Sequence, residues 1–401
     1  MFVGLVLVGY GAVEAWVGNM NYDNPLKQRF CSANLCPEEF YDNRTFTMLQ
    51  QAAGGASPQM LPQFQRALLE DSGSAYAWAN LADVERDARR FPAAKYCFQR
   101  ALAAGPSNPA ILFRVANFAF QTGDKAETMR DLSVVLRNPD LSSYYPAAFL
   151  TYSRLDTTME ELLEKGVPTL STAAEPFLQF WMDDKRLPEA KATWTWMIQH
   201  SLTTEKSTGD YTTFLAANHD IAGATDEWMR ANPKTASYYR AINWVFNGSF
   251  EAEPKPGPFD WHIESTPDVE ATRVQDVSRD GQFSVSLLFG GKTNVDYHGV
   301  YQDCVLTPGQ WQLKAFLKLD GITTDQGISI RVFDVEQPSR LDVRTDARTG
   351  TLGWTQIDRA FAVGPETKLV RVEIMRGSSR KIDSKIAGHA WVDTVDLSPI
   401  H

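Results

Sequence analysis

The 401-residue sequence has few of the residues that mark catalytic or metal sites. It contains four cysteines and six histidines, and the histidines do not show the spacing of a zinc-binding helix. No G-x-S-x-G nucleophile motif is present, and Gly290-Gly-Lys-Thr293 departs from a phosphate-binding loop because Ser286 stands where the first glycine is needed. We therefore predict a protein that is not an enzyme.

Clusters of basic residues are also lacking. The chain has 39 Lys and Arg against 49 Asp and Glu, which gives a net charge of −10 and a pI near 5.2. Because nucleic-acid phosphates are bound by clustered Lys and Arg, this balance argues against nucleic acid as the main partner. Aromatic residues are abundant, with 11 Trp, 13 Tyr and 22 Phe, which suits both packed helical repeats and sugar-stacking surfaces.

Residues Phe2 to Val17 form an apolar run that only Glu14 interrupts. The run is shorter than the roughly 20 residues of a spanning helix, and no Lys or Arg precedes it. A signal peptide or signal anchor and a buried first helix both remain open. Because no A-x-A-like cleavage site follows, we favour an uncleaved anchor over residues 1–20, with the bulk of the chain in a bacterial periplasm or exported.

The linker at residues 21–57 carries Cys31 and Cys36 close together. On the exported side such a pair predicts a small disulfide. Unpaired thiols and a metal site remain alternatives, although zinc would need two further ligands. Cys97 and Cys304 are predicted to be buried small apolar residues.

Residues 58–242 show the apolar spacing of helices. The segment from Ala75 to Pro106 has large and small residues at helix-packing positions, namely Trp78, Leu81, Ala82, Ala94, Phe98 and Ala101. This spacing resembles the tetratricopeptide repeat, and a looser second unit begins near Pro109. The resemblance implies an α-solenoid of five or six helix pairs that binds a protein partner in its concave face.

From residue 243 the pattern changes to strands. Apolar residues alternate in segments such as Trp311–Lys318 and Val370–Arg376. The predicted strands are 261–263, 270–274, 283–289, 300–306, 310–318, 328–334, 355–363, 369–375 and 389–397. Nine short strands in residues 243–401 predict an antiparallel β-sandwich, so that the whole chain is a multidomain protein with an α part and an all-β part.

Local motifs refine this prediction. Asn247-Gly-Ser-Phe-Glu251 opens the β part, Gly281–Leu287 and Leu306–Trp311 follow, and Gly388–Leu397 closes it. This order resembles the galactose-binding-like jelly rolls, especially carbohydrate-binding modules. In that family the opening Phe-Glu and closing Asp often hold a structural calcium, so the resemblance points to Glu251 and Asp393 as calcium ligands. The alternative is a surface charge at Glu251 and a turn cap at Asp393.

The resemblance also implies a sugar site, since sugar rings stack on aromatic rings and their hydroxyls bond polar side chains. The candidates, flanked by Asp296 and His298, are Trp261, Tyr297, Tyr301, Gln302 and Trp354. For each of them a role in the core or at a domain interface remains the alternative.

Together these features predict a non-enzymatic, membrane-anchored protein of the bacterial cell envelope. Its helical repeats would bind a protein, and its jelly roll would bind a glycan in exopolysaccharide assembly or export. One alternative is a pure assembly scaffold whose jelly roll binds no sugar. Another is an unrecognised glycoside hydrolase or its accessory subunit.

Overall fold

The computed structural model describes residues 61–233, 243–382 and 384–400. The chain divides by its internal contacts into two compact units, Met1–Asp184 with Pro188–Leu202 and Lys185–Leu187 with Thr203–His401. The predicted anchor at residues 1–20 and the predicted Cys31–Cys36 disulfide lie outside the described residues.

The first unit is helical. Its helices, with a 3-10 helix at Pro139–Tyr144, are α1 (Leu61–Glu70), α2 (Ala75–Asp87), α3 (Phe91–Ala104), α4 (Pro109–Thr122), α5 (Lys125–Leu136), α6 (Tyr145–Tyr152), α7 (Met159–Lys165), α8 (Ser171–Asp183) and α9 (Leu187–Gln199). Side chains of Ser74, Asn108 and Asp124 accept backbone N–H groups at the starts of α2, α4 and α5. The predicted helical array is confirmed, and its assignment to the tetratricopeptide type stays a prediction.

Small residues let these helices approach closely. Ala82, Ala94 and Ala101 are fully buried between α2 and α3, and the ring of Phe98 fills the space beside them. Cys97 is buried in the same cluster as a free thiol, as predicted. The alanines at repeat positions therefore serve packing.

The second unit contains helices α10 (Glu205–Ala217) and α11 (Ile221–Ala231) together with the strands. A capping box, in which Thr204 and Ser207 bond each other's backbone N–H, begins α10. The indole of Trp228 on α11 packs edge-on against the rings of Phe246 and Phe259, with centroids 5.7 and 6.2 Å away. The last helix pair is thus part of the same compact unit as the β-sandwich.

The strands form two antiparallel sheets. Their bounds are β1 (His262–Ile263), β2 (Val269–Val274), β3 (Ser284–Gly290), β4 (Tyr297–Cys304), β5 (Gly309–Ile322), β6 (Ser329–Asp334), β7 (Asp342–Arg344), β8 (Gly350–Val363), β9 (Val370–Arg376) and β10 (Ala387–Pro399). The first sheet has the order β1-β4-β9-β6-β7, and the second has the order β2-β3-β10-β5-β8. The predicted β-sandwich is confirmed.

Alternating residues of both sheets form the core. Val372 and Ile374 of β9 and Leu313 and Leu317 of β5 are fully buried, and Cys304 lies in the same cluster as predicted. Each intervening residue therefore points to the outer face of its sheet. Strand β7 was not predicted from the sequence, because its three residues show too little alternation to be recognised.

Candidate functional site

The outer face of the first sheet carries two transverse rows of polar and aromatic residues, which we call the polar face. Strand register places one residue from each of five strands in the first row: His262, Tyr301, Glu373, Arg331 and Arg344. The second row contains Asp303, Arg371, Phe333 and Asp342. Four inter-strand spacings of about 4.8 Å give the first row a length of about 19 Å.

Tyr301 lies near one end of the polar face. Its ring stacks on the imidazole of His262, with centroids 4.6 Å apart and planes 9° apart. The guanidinium of Arg371 lies 4.0 Å from the same ring centroid. Because β1 and β9 flank β4 on opposite sides, the phenol ring is held between these two side chains.

Arg371 is fixed by a paired carboxylate. Its Nε and Nη2 donate to the two oxygens of Asp303 at 2.6 and 3.0 Å. Burial lowers the pKa of Arg371, but the hydrogen bond and the charge of Asp303 outweigh it, so the pKa lies above its ordinary value. The guanidinium is therefore charged and held in one orientation.

A second paired guanidinium lies on β6. Arg331 donates to both oxygens of Asp342 at 2.8 Å, and its guanidinium carbon lies 4.0 Å from the ring centroid of Phe333. The hydrogen bond from Arg331 lowers the pKa of Asp342. This group repeats the combination of guanidinium, carboxylate and ring found around Tyr301.

Glu373 lies on the central strand, between the two groups. Its Oε2 is 3.7 Å from Nη1 of Arg331 and 2.9 Å from Nδ1 of His298. The other ring nitrogen of His298 is 3.2 Å from Oδ1 of Asp296. Both residues that the sequence analysis placed beside the sugar site therefore adjoin the polar face.

The polar face suits a ligand rich in hydroxyl groups. Carboxylates accept hydrogen bonds from hydroxyls, and guanidinium groups donate to them. The face carries equal numbers of positive and negative side chains, namely Arg331, Arg344, Arg371, Asp303, Asp342 and Glu373. A neutral ligand therefore fits this balance better than a polyanion does.

Three of the predicted sugar-contact residues are buried, which fits the core role that was left open as the alternative for each of them. Trp261 donates its Nε1–H to the carbonyl of Asn247, and Tyr297 donates its hydroxyl to the carbonyl of Glu264. Gln302 bonds both the N–H and the carbonyl of Phe246. None of these three offers an exposed surface, because each points to the core side of its segment.

The other two candidates lie on different sheets. Tyr301 belongs to the polar face, whereas Trp354 lies on β8 of the second sheet, where the register with β5 shifts between Leu317 and Leu319. Sequence reasoning missed Arg331, Arg371 and Glu373. The alternation of Val370–Arg376 already placed Arg371 and Glu373 on one face of a strand, and that signal could have identified them.

The side chain of Glu251, a predicted calcium ligand, accepts hydrogen bonds from a turn. Its Oε1 accepts the N–H groups of Gln282 and Phe283, both at 2.9 Å. The guanidinium of Arg273 donates to the carbonyl of Glu251 at 2.8 Å. A positively charged side chain thus already binds a carbonyl at this position.

Asp393 holds the same turn from β10. Its Oδ2 accepts the N–H groups of Arg279 and Asp280, and its Oδ1 accepts that of Thr394 at 2.6 Å. Burial raises the pKa of Asp393. N–H donors around the carboxylates differ from the oxygen shell that calcium prefers, and in the described ranges no three His, Cys, Asp or Glu side chains cluster as a metal site. The calcium site at Glu251 and Asp393 stays a prediction.

Comparisons with known proteins concern the β-sandwich. A scan against protein-family models finds no match, and a search of curated proteins also finds none. Among solved structures, TmCBM61 in complex with beta-1,4-galactotriose is 15% identical over 40% of this chain and 100% of its own, with a TM-score of 0.29. The CBM22-1 xylan-binding domain from Paenibacillus barcinonensis Xyn10C is 14% identical over 38% of this chain and 92% of its own, with a TM-score of 0.28.

The enzymatically active domain of Bacteriophage CBA120 tailspike protein 4 is 20% identical over 40% of this chain, with a TM-score of 0.29. The match spans 22% of the tailspike chain. Function is therefore argued from the site and not from these matches.

Proposed function

We propose that the protein binds a glycan through the polar face. The observation that carries this proposal is the alignment of His262, Tyr301, Glu373 and Arg331 in one row across neighbouring strands. These four residues span about 14 Å, and Arg344 on the next strand extends the row to about 19 Å. The row offers hydrogen-bond acceptors and donors from rings, a carboxylate and guanidinium groups. That length and chemistry suit an oligosaccharide or a stretch of polysaccharide.

The side chains of the polar face are organised before any ligand arrives. Arg371 and Arg331 each make two hydrogen bonds to a carboxylate, and each lies against an aromatic ring. Side chains already held in one rotamer lose little conformational entropy on binding. The order of motifs from Asn247 to Leu397, which resembles carbohydrate-binding modules, supports the same conclusion.

The wider role proposed here is that of a non-enzymatic envelope protein. The helical unit would bind a protein partner, and residues 1–20 would anchor the chain with its bulk in a bacterial periplasm. Binding of a secreted polysaccharide would link the protein to exopolysaccharide assembly or export. None of the described helices combines the length and the apolar character that crossing a bilayer requires.

A glycan-array screen with the full chain tests the proposal. We expect saturable binding of at least one neutral oligosaccharide by the wild type and loss of that signal in Tyr301→Ala. Trp354→Ala is the matched control, since it removes an aromatic residue from the second sheet. Loss of binding in Trp354→Ala but not in Tyr301→Ala would refute the polar face as the site.

The same screen separates the remaining alternatives. A folded protein that binds no glycan would indicate the assembly scaffold, and release of reducing sugar from a bound polysaccharide would indicate a glycoside hydrolase.

Thermal unfolding of the full chain, measured once with calcium and once with a chelator, tests the predicted calcium ligands Glu251 and Asp393. A bound structural calcium predicts a higher melting temperature with calcium, and equal melting temperatures would contradict it.

A further inference from the structure

The phenol ring of Tyr301 is covered on both of its faces. The imidazole of His262 lies on one side, with 4.6 Å between ring centroids and 9° between planes, and the guanidinium carbon of Arg371 lies 4.0 Å from the same centroid. A sugar ring inserted between two such planes needs two contact distances of about 3.5–4.0 Å, or roughly 7–8 Å in all. A sugar ring therefore does not fit against either face of Tyr301.

Hydrogen bonds hold both covering side chains in place. Nε2 of His262 is 3.0 Å from the carbonyl oxygen of Gly257, and because a carbonyl oxygen only accepts, this nitrogen carries the hydrogen. Arg371 donates to both oxygens of Asp303 at 2.6 and 3.0 Å. Moving either side chain aside would break these bonds, so a ligand meets the edge of the Tyr301 ring and not its face.

The edge of this group carries the polar atoms that a ligand can reach. The Tyr301 hydroxyl and Nη1 of Arg371 make no hydrogen bond to another described residue, and neither is a buried atom. The side chain of Arg371 is 26% exposed, whereas those of Asp303 and Glu373 are each 7% exposed. The phenol hydroxyl and the guanidinium N–H are therefore open to a ligand, and the two carboxylates lie beneath them.

We infer that the polar face holds a single soluble glycan chain by its hydroxyl groups, with no sugar ring stacked on Tyr301. This inference rests on the proposed glycan binding and narrows its ligand class. A phenol hydroxyl both donates to and accepts from a sugar hydroxyl, and the N–H of Arg371 donates to one. The packed chains of a polysaccharide crystal present flat C–H faces, which need the exposed face of an aromatic ring instead.

Calorimetric titration of the full chain with the neutral oligosaccharide of highest array signal tests the inference. Tyr301→Phe keeps the ring between His262 and Arg371 and removes the hydroxyl. Its affinity should fall about fivefold to tenfold, which is typical of losing one hydrogen bond. Tyr96→Phe is the matched control, because Tyr96 is 56% exposed on α3 of the helical unit, and its affinity should equal that of the wild type.

Monodeoxy analogues of the same oligosaccharide test the hydroxyl contact from the ligand side. At least one analogue should bind the wild type about fivefold to tenfold more weakly than the parent sugar does. That analogue should cause little further loss in Tyr301→Phe, because the protein group that it would contact is already absent. Microcrystalline cellulose should retain the wild type and Tyr301→Ala equally, since neither presents the face of this ring.

Three outcomes would overturn the inference and leave glycan binding in place. They are wild-type affinity in Tyr301→Phe when Tyr301→Ala has lost binding, equal affinity of the wild type for the parent sugar and all monodeoxy analogues, and weaker retention of Tyr301→Ala than of the wild type on cellulose. Absence of wild-type binding to every array glycan would instead overturn the proposed function itself. If Tyr301→Phe does not fold by circular dichroism, the monodeoxy series with the wild type decides the question.

Discussion

Asp260 makes the stability of the second unit depend on pH. Its side chain is fully buried, and its Oδ1 and Oδ2 accept the N–H groups of Trp261 and Lys255 at 2.8 and 3.0 Å. Burial nevertheless outweighs these bonds and raises the pKa of Asp260 to about 7. The folded protein therefore holds a proton on this carboxyl under conditions in which the unfolded chain has released it.

The sign and size of the effect follow from proton linkage. Below about pH 4 the carboxyl is protonated in both states and has no effect on the free energy of unfolding. Between about pH 4 and pH 7 only the folded state keeps the proton, so stability falls as the pH rises. About three pH units separate the two pKa values, and each unit corresponds to about 1.4 kcal/mol. The free energy of unfolding is therefore lower above pH 7 than below pH 4 by roughly 4 kcal/mol from this group.

Asp260→Asn removes the titration and keeps one oxygen acceptor. The assay is urea denaturation of wild type and variant at several pH values from 4 to 8.5, followed by circular dichroism. We expect the difference in unfolding free energy, variant minus wild type, to rise by roughly 4 kcal/mol across this range. Taking the difference cancels the other titrating groups. A difference that stays constant with pH would show that the pKa of Asp260 is not raised in the folded protein.

Three further substitutions test the packing. Arg376→Met should lower the free energy of unfolding by at least about 3 kcal/mol, because the buried guanidinium donates to several carbonyl and amide oxygens that would lose their donor. Gly388→Ala should cost about 2 kcal/mol or more, since φ is +117° and the new Cβ would lie 2.5 Å from a backbone oxygen. Gly364→Ala, with open space around it, is the control and should change stability by less than about 0.5 kcal/mol. Phe177→Ala should lower the unfolding free energy of the helical unit by about 3–5 kcal/mol, because this fully buried ring packs against three others. Urea denaturation measures the free energy of unfolding of all four variants. An Arg376→Met or Phe177→Ala variant as stable as the wild type would contradict the packing of these two side chains.

The sequence predicts the elements of this fold better than it predicts their surfaces. Periodicity located the helix pairs from Ala75 onward and nine of the strands, because helix and strand leave different spacings of apolar residues. It did not show which side of a strand faces the core. Tyr301 and Gln302 are neighbours, and both looked suited to a sugar, yet alternation sends Tyr301 outward and Gln302 inward.

The polar face could not be assembled from the sequence because it depends on strand register. Arg371 meets Asp303 although 68 positions separate them, and this contact exists only because β4 and β9 are neighbours in the first sheet. Hydrophobic pattern specifies the strands but does not give their order in the sheet. The sequence also could not show that the indole N–H of Trp228 lacks a hydrogen-bond partner among the described residues. In the sequence, Trp228 resembles any other buried aromatic residue.

Glycan binding by the polar face can be measured in one titration. The oligosaccharide with the highest array signal is titrated calorimetrically into the wild type, Glu373→Gln and Trp354→Ala, with folding of each confirmed by circular dichroism. Glu373 is buried at the centre of the first row, where its Oε2 lies 2.9 Å from His298 and 3.7 Å from Arg331. Its loss should release these two side chains and weaken binding at least about tenfold, while Trp354→Ala should bind as the wild type does. Equal affinities of the wild type and Glu373→Gln would show that the glycan does not bind at the polar face.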